Sequence, residues 1–200
     1  MTPRFLLSHI MVEKAAEAHS ASAHQRRPMG DTRMSRLRRL FLSDRYFYVT
    51  VRLYKKRELL GEEEFSRLAE AIQSARGAHQ FLLTAWVFLP DHWHAILYPR
   101  HPVTISRLME VIKVKSTRSI NVHRNESGPL WQGRFFDHAI RRVERYHHFI
   151  DYIHLNPLRR GLVQKPEEWR WSSFPDYARS SHPLLSIDRV KLPSDPKARL

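Results

Sequence analysis

The sequence predicts an α+β fold. A central antiparallel sheet is built as a split βαβ, ferredoxin-like unit and followed by one further helix. Three observations predict it. Strand-like stretches occur at residues 46–53, 80–89 and 92–98, with a further one inside 130–140. Helical stripes separate the first from the second and the third from the fourth. Only Pro90 and Asp91 stand between the second and third strands, so those two must form a hairpin.

Residues 1–34 carry no periodic pattern and break at Gln25-Arg-Arg-Pro-Met-Gly30. They are expected to be a disordered, basic extension. The domain is then expected over 35–178 and a flexible tail over 179–200. In the first strand Phe47, Val49, Val51 and Leu53 share one face, and Tyr46, Tyr48, Thr50 and Arg52 the other. Residues 62–76 form an amphipathic helix with Phe65, Leu68, Ala69 and Ile72 as its stripe, and Gly77 stands where a C-cap belongs. Residues 80–89 are almost continuously apolar, as a strand buried on both faces requires.

Thr104 caps the next helix, which is expected to run to about Asn121 with Ile105, Leu108 and Ile112 inward. Asn125-Glu-Ser-Gly-Pro129 is a loop by composition. The last helix spans 141–155, its end set by Pro157, which disfavours an α conformation at Asn156. Val143, Tyr146, Ile150 and Ile153 form its core stripe. Tyr152 falls roughly opposite, with His148 and Asn156 one turn to either side. The aromatic run Trp169-Arg-Trp-Ser-Ser-Phe174 suits either base stacking or packing on the domain edge.

Composition narrows the function. Lys and Arg total 34 against 20 Asp and Glu, a net charge of +14 with a pI near 10.6. That excess favours a polyanion, most often nucleic acid; a generic basic surface is the competing reading. There is no cysteine, which excludes disulfides, thiolate zinc sites and a cysteine nucleophile and suits a cytoplasmic protein. No apolar run approaches a membrane span, and residues 5–12 make a poor signal peptide. No Gly-rich loop ending in GK[ST], no G-x-S-x-G and no H-E-x-x-H occurs. The acidic clusters at 62–64 and 167–168 read as solvated charge.

The third strand carries the chemistry. Its alternation puts His92, His94, Ile96 and Tyr98 on one face and Trp93, Ala95 and Leu97 on the other. Two imidazoles at i and i+2 stand close enough to bind one cation. Taken alone, they could equally be two polar residues on a half-buried strand.

Three segments are distinctive together: Leu89-Pro-Asp-His-Trp-His94, Leu130-Trp-Gln-Gly-Arg-Phe-Phe-Asp-His138 and Tyr152-Ile-His-Leu-Asn-Pro-Leu-Arg-Arg-Gly161. They resemble the single-tyrosine transposases of the HUH endonuclease class, most of all their REP-associated branch. The resemblance runs from about Arg36 to about Tyr177. It implies the HUH core, with the histidines on a central strand, in agreement with the order of elements. It also implies a bacterial, nucleoid-associated protein that cuts and rejoins single-stranded DNA at hairpin-forming repeats. Tyr152 would be the nucleophile, leaving a 5′-phosphotyrosine and a free 3′-OH, with no nucleotide cofactor. In the family the residue one turn after the tyrosine is a metal ligand, so His92, His94 and Asn156 are expected to hold one Mg²⁺ or Mn²⁺.

Arg107, Lys113, Lys115 and Arg118 are expected to contact stem phosphates. Arg134 is a candidate phosphate contact, and Trp131 is either a base contact or core. No general base is identified; His148 and His154 are the candidates, and solvated histidines are the plainer reading of both. The oligomeric reading leans to a monomer. Two other readings stay open: a non-catalytic nucleic-acid-binding domain of the same fold, and a replication initiator or relaxase. The latter usually shows a third metal histidine or paired tyrosines, whereas Tyr146 and Tyr152 lie on different helix faces.

Overall fold

The computed structural model describes residues 43–178 and 184–200, all within one unit spanning 35–200. The extension expected over 1–34 lies outside the described residues. The element order is β1 (Phe47–Arg52), α1 (Glu62–Ala78), β2 (Phe81–Leu89), β3 (His92–Pro99), α2 (Ile105–Arg124), β4 (Phe136–Ala139), α3 (Val143–Arg159) and a short α4 (Phe174–Ala178). The strands form one sheet in the order β2-β3-β1-β4, every neighbour antiparallel. This is the split βαβ arrangement that the sequence predicts. Among the described residues no helix is long and apolar enough to cross a membrane.

Strand alternation divides the interior into two cores. Phe47, Val49 and Val51 of β1 join Trp93, Ala95 and Leu97 of β3 on one face, against Phe65, Leu68 and Ile72 of α1 and Ile105, Leu108 and Ile112 of α2. On the other face Tyr46, Tyr48, Val87, Leu89 and Ile96 meet Tyr146, Ile150 and Ile153 of α3. The predicted faces are therefore those observed. β2 contributes to both cores, which accounts for its almost continuous apolar run.

Some predicted boundaries move. Gly77 lies inside α1, and His79, in extended conformation, is the C-cap because the chain passes straight into β2. α2 continues to Arg124 and ends on Asn125 in the left-handed region (φ 51°), a conformation that asparagine tolerates. Pro157 does not end α3. The helix continues to Arg159, and Gly161 (φ 68°) supplies the stop. Burial of Ile153, Asn156 and Pro157 holds the last turn against the proline's steric penalty.

Residues 184–200, expected as a flexible tail, pack on the domain. Leu185 is buried, its carbonyl accepts the Trp86 indole N–H (2.8 Å), and Asp188 accepts the Leu83 N–H (2.8 Å) while pairing with Arg76. Trp169–Phe174 takes the packing alternative. The Trp169 indole donates to the Phe88 carbonyl (2.9 Å), Trp171 is buried, and Ser172 bridges to Val87. The segment thereby covers the β2 edge.

Candidate active site

Register builds the site. Antiparallel pairing sets Thr50 of β1 opposite His94 and Arg52 opposite His92, while Phe136 at the start of β4 lies opposite Thr50. These residues meet at one end of the sheet, on the face that α3 crosses. α3 brings Tyr152, Asn156 and Arg159 to the same end, and its C-cap Arg160 follows. With Tyr48 they line an open cleft of about 480 Å³.

Each histidine is fixed through Nδ1. His92 Nδ1 lies 2.6 Å from Asp91 Oδ1, and Asp91 in turn accepts from both Arg160 nitrogens (2.8 and 3.3 Å). His94 Nδ1 lies 2.8 Å from the Tyr48 hydroxyl and 2.9 Å from Thr50 Oγ1. With the Nδ1 proton directed to those oxygens, each ring keeps its lone pair on Nε2. The two rings stand 4.6 Å apart, centroid to centroid, nearly perpendicular. Asn156 places its side-chain nitrogen 3.3 Å from His94 Nε2, and its oxygen is buried without a hydrogen-bond partner. Rotating that amide by half a turn exchanges the two atoms and puts the oxygen beside His94 Nε2.

Burial sets the charge states. It pushes His94 down to about 3, helped by neighbouring His92. Burial also lowers His92, against the opposing pull of Asp91. Both rings are therefore neutral at pH 7, the form that binds a cation. Burial alone would raise the Asp91 carboxyl, but the His92 hydrogen bond and the Arg160 guanidinium hold it below its ordinary value. The Tyr48 phenol is pushed up, chiefly by burial.

Among the described residues no three His, Cys, Asp or Glu side chains converge as a metal cluster. The available set is two imidazoles and one amide oxygen. With the Asn156 amide turned so that its unpartnered oxygen stands beside His94 Nε2, this set fits a divalent cation that keeps positions open for water or phosphate.

The half-buried Tyr152 points toward the sheet. Its ring stands 5.5 Å from that of His94 and 6.0 Å from that of Tyr48, and the Arg159 guanidinium lies 5.5 Å over it. The expectation that Tyr152 lies opposite the core stripe is thus corrected. The polar end of the sheet leaves room for the flank of α3 to approach it.

The structure brings together His92, His94, Tyr152 and Asn156, and leaves the other predicted residues elsewhere. Arg107, Lys113, Lys115 and Arg118 lie on α2, which packs on the opposite face of the sheet. Of these, Lys113 donates to the Gln132 and Gly133 carbonyls (2.6 and 2.9 Å), Lys115 to Ser74 (3.0 Å), and Arg107 pairs with Glu110. Trp131 is core, its indole donating to Ser116 Oγ (2.9 Å). Arg134 is exposed and does not line the cleft. Neither base candidate lines it either: His148 is exposed on α3, and His154 is buried against Ser173 (2.9 Å).

Sequence reasoning missed Asp91, Tyr48, Thr50, Arg52, Phe136, Arg159 and Arg160 as site residues. Asp91 reads as a turn residue, and Tyr48, Thr50 and Arg52 were placed on one face with nothing to say what they face. Arg159 and Arg160 sit in plain view one turn after Asn156.

Comparison with known proteins gives the family. The profile of the family described as "Transposase IS200 like" matches residues 42–156. A REP-associated tyrosine transposase of Escherichia coli (strain K12) is 33% identical over 153 residues, covering 76% of this chain and 90% of that protein. A solved REP-associated tyrosine transposase, bound to a REP hairpin, superposes with a TM-score of 0.64 at 30% identity, covering 86% of this chain and 99% of that one. The chain belongs to the IS200-like transposase family.

Proposed function

We propose that this protein is a metal-dependent single-strand DNA endonuclease and transposase that cuts and rejoins DNA at hairpin-forming repeats through a tyrosine. The observation that carries the reading is one cleft in which a tyrosine, two oriented neutral imidazoles and an orphaned amide oxygen meet three arginines. The structural relative's REP hairpin supports DNA as the substrate.

His92 and His94, through Nε2, and Asn156, through Oδ1, would hold Mg²⁺ or Mn²⁺, the nitrogen donors favouring Mn²⁺. When bound, the cation polarises the scissile phosphate and offsets its charge. Asp91 and the Tyr48–Thr50 pair keep the imidazoles in the tautomer that presents Nε2. Arg159, over the Tyr152 ring, and Arg52 are placed to bind non-bridging phosphate oxygens.

The phenol oxygen of Tyr152 forms a bond to phosphorus as the P–O3′ bond breaks. The phenol proton passes to solvent, to which Tyr152 is partly open, and the leaving 3′ oxygen takes up a proton. The products are a 5′-phosphotyrosine and a 3′-OH, and reversal by another 3′-OH rejoins the strand. Phe136, 57% exposed at the cleft, offers a ring on which a flanking base can stack.

The test is incubation with Mn²⁺ and end-labelled hairpin DNA carrying a single-stranded flank, then denaturation. A covalent protein–DNA band that chelator abolishes is expected. DNA binding without such a band would instead support a non-catalytic nucleic-acid-binding domain.

A further inference from the structure

A second cleft, of about 460 Å³, lies at the other end of the same strands. Arg45 precedes β1, Arg141 and Arg142 follow β4, and Arg199 comes from the C-terminal segment; all four line it. Backbone pairing fixes the wall: Val143 N–H donates to the Ala198 carbonyl (3.2 Å) and Leu200 N–H to the Arg141 carbonyl (3.1 Å). Between them Arg142 and Arg199 face each other as an antiparallel bridge pair.

Paired strand residues project to the same side, and like charges placed directly opposite destabilise the pair. Asp44 is the acidic side chain in the lining, and its oxygens already accept from Ser43 Oγ and the His101 N–H. Even with a carboxylate on Leu200, four guanidinia outnumber two carboxylates. Arg141, Arg142 and Arg199 are exposed, and none of them takes part in a side-chain hydrogen bond or ion pair among the described residues. An arrangement that costs stability and leaves its charges unpaired suits an anion between them.

We infer that this cleft is a phosphate-backbone site that grips the duplex stem of the DNA whose single-stranded flank is cut in the cleft of Tyr152. The inference rests on the function proposed above and names the part of that substrate the second cleft holds. Spacing supports the assignment. From Arg45 to Arg52 along β1 is seven residues, or about 23 Å at ~3.3 Å per residue. Phosphates of one duplex strand recur every ~3.4 Å along the axis, so the two clefts lie about seven base pairs apart. With its flank-bearing end at the cleft of Tyr152, a stem shorter than that does not reach the second cleft.

The experiment compares the wild-type chain with Arg142→Gln/Arg199→Gln and, separately, Arg45→Gln. Two hairpins share one single-stranded flank but have stems of about 4 and about 12 base pairs, bracketing the seven-pair span. Affinity is measured over a salt series, with covalent adduct formation alongside. The wild type should bind the long stem more tightly. The double variant should lose that advantage, with a slope of log affinity on log salt shallower by about 1.8 for two phosphates. On the short stem its affinity and adduct yield should match wild type, which also shows that it folds. Arg45→Gln should give about half the change in slope.

Unchanged dependence on stem length in the double variant overturns the inference, as does an equal loss on both stems. In either case wild-type adduct formation still stands. A wild type that binds neither hairpin and forms no adduct overturns the proposed function, and this inference with it.

Discussion

Removing the Asp91 carboxylate should weaken the metal site while leaving the fold almost untouched. Asp91 Oδ1 lies 2.6 Å from His92 Nδ1 and its carboxylate also meets Arg160. The first contact orients a proposed metal ligand; the second is a pair whose side chains are 41% and 36% exposed. Exposed pairs of this kind contribute about 0–1 kcal/mol. Loss of the carboxylate behind a ligating histidine typically costs about 10–100-fold in metal affinity. The Asp91 carbonyl that accepts the Leu53 N–H is backbone and survives substitution. Asp91→Ala should therefore bind Mn²⁺ about 10–100-fold more weakly by titration calorimetry, with thermal stability near wild type. Asp91→Asn keeps an acceptor for Nδ1 and should lose less. Arg160→Gln separates the two contacts, since it breaks the ion pair and spares the ligand, so its Mn²⁺ affinity should stay near wild type. Wild-type Mn²⁺ affinity in Asp91→Ala, or an equal loss in Arg160→Gln, would refute the reasoning.

Three other outcomes follow from the same geometry. His92→Ala or His94→Ala should abolish adduct formation in Mn²⁺, and chelator should do the same to the wild type; full cleavage in chelator would exclude the metal site. Phe136→Ala should weaken binding of the single-stranded flank by about 1–3 kcal/mol if one base stacks there, with little change in melting temperature because the ring is 57% exposed; equal flank affinity in a gel-shift titration would remove Phe136 from the substrate path. Burial pushes His154 down to about 3 from its ordinary 6.5, so between those values the unfolded chain holds the extra proton. The stability it confers is complete above about pH 6.5 and is lost as pH falls, by up to about tenfold in the folding equilibrium per pH unit. His154→Gln, compared with wild type by urea unfolding at several pH values, should remove one proton's worth of that slope; an unchanged slope would mean that His154 does not titrate in this way.

The fold was legible because alternation and helical period act locally. Phe47, Val49 and Val51 could be assigned a face from their own spacing, as could His92 and His94. The site was half legible for the same reason. Tyr152 and Asn156 lie one turn apart on one helix, and the two histidines lie on one strand. What Tyr48, Thr50 and Arg52 do depends on register, which sets them against His94 and His92 across the sheet; no pattern within β1 encodes that. Pro157 misled because tertiary burial of the last turn of α3 outweighs a local preference. Residues 184–200 misled in the opposite sense. Their anchors, Leu185 and Asp188, are single contacts without a period, and so leave no signature in the sequence. The basic residues of α2 show the limit of reading charge alone, since Lys113 is spent on two carbonyls.

The central claim is that Tyr152 attacks the phosphate, and mapping the covalent adduct tests it most directly. Wild-type protein is trapped on hairpin DNA in Mn²⁺, digested with protease and nuclease, and its modified peptide is identified by mass spectrometry. The nucleotide should sit on Tyr152 through a 5′-phosphate, and Tyr152→Phe should give no adduct while binding the hairpin with wild-type affinity. A nucleotide on Tyr146 or Tyr48, or an undiminished adduct in Tyr152→Phe, would contradict the account.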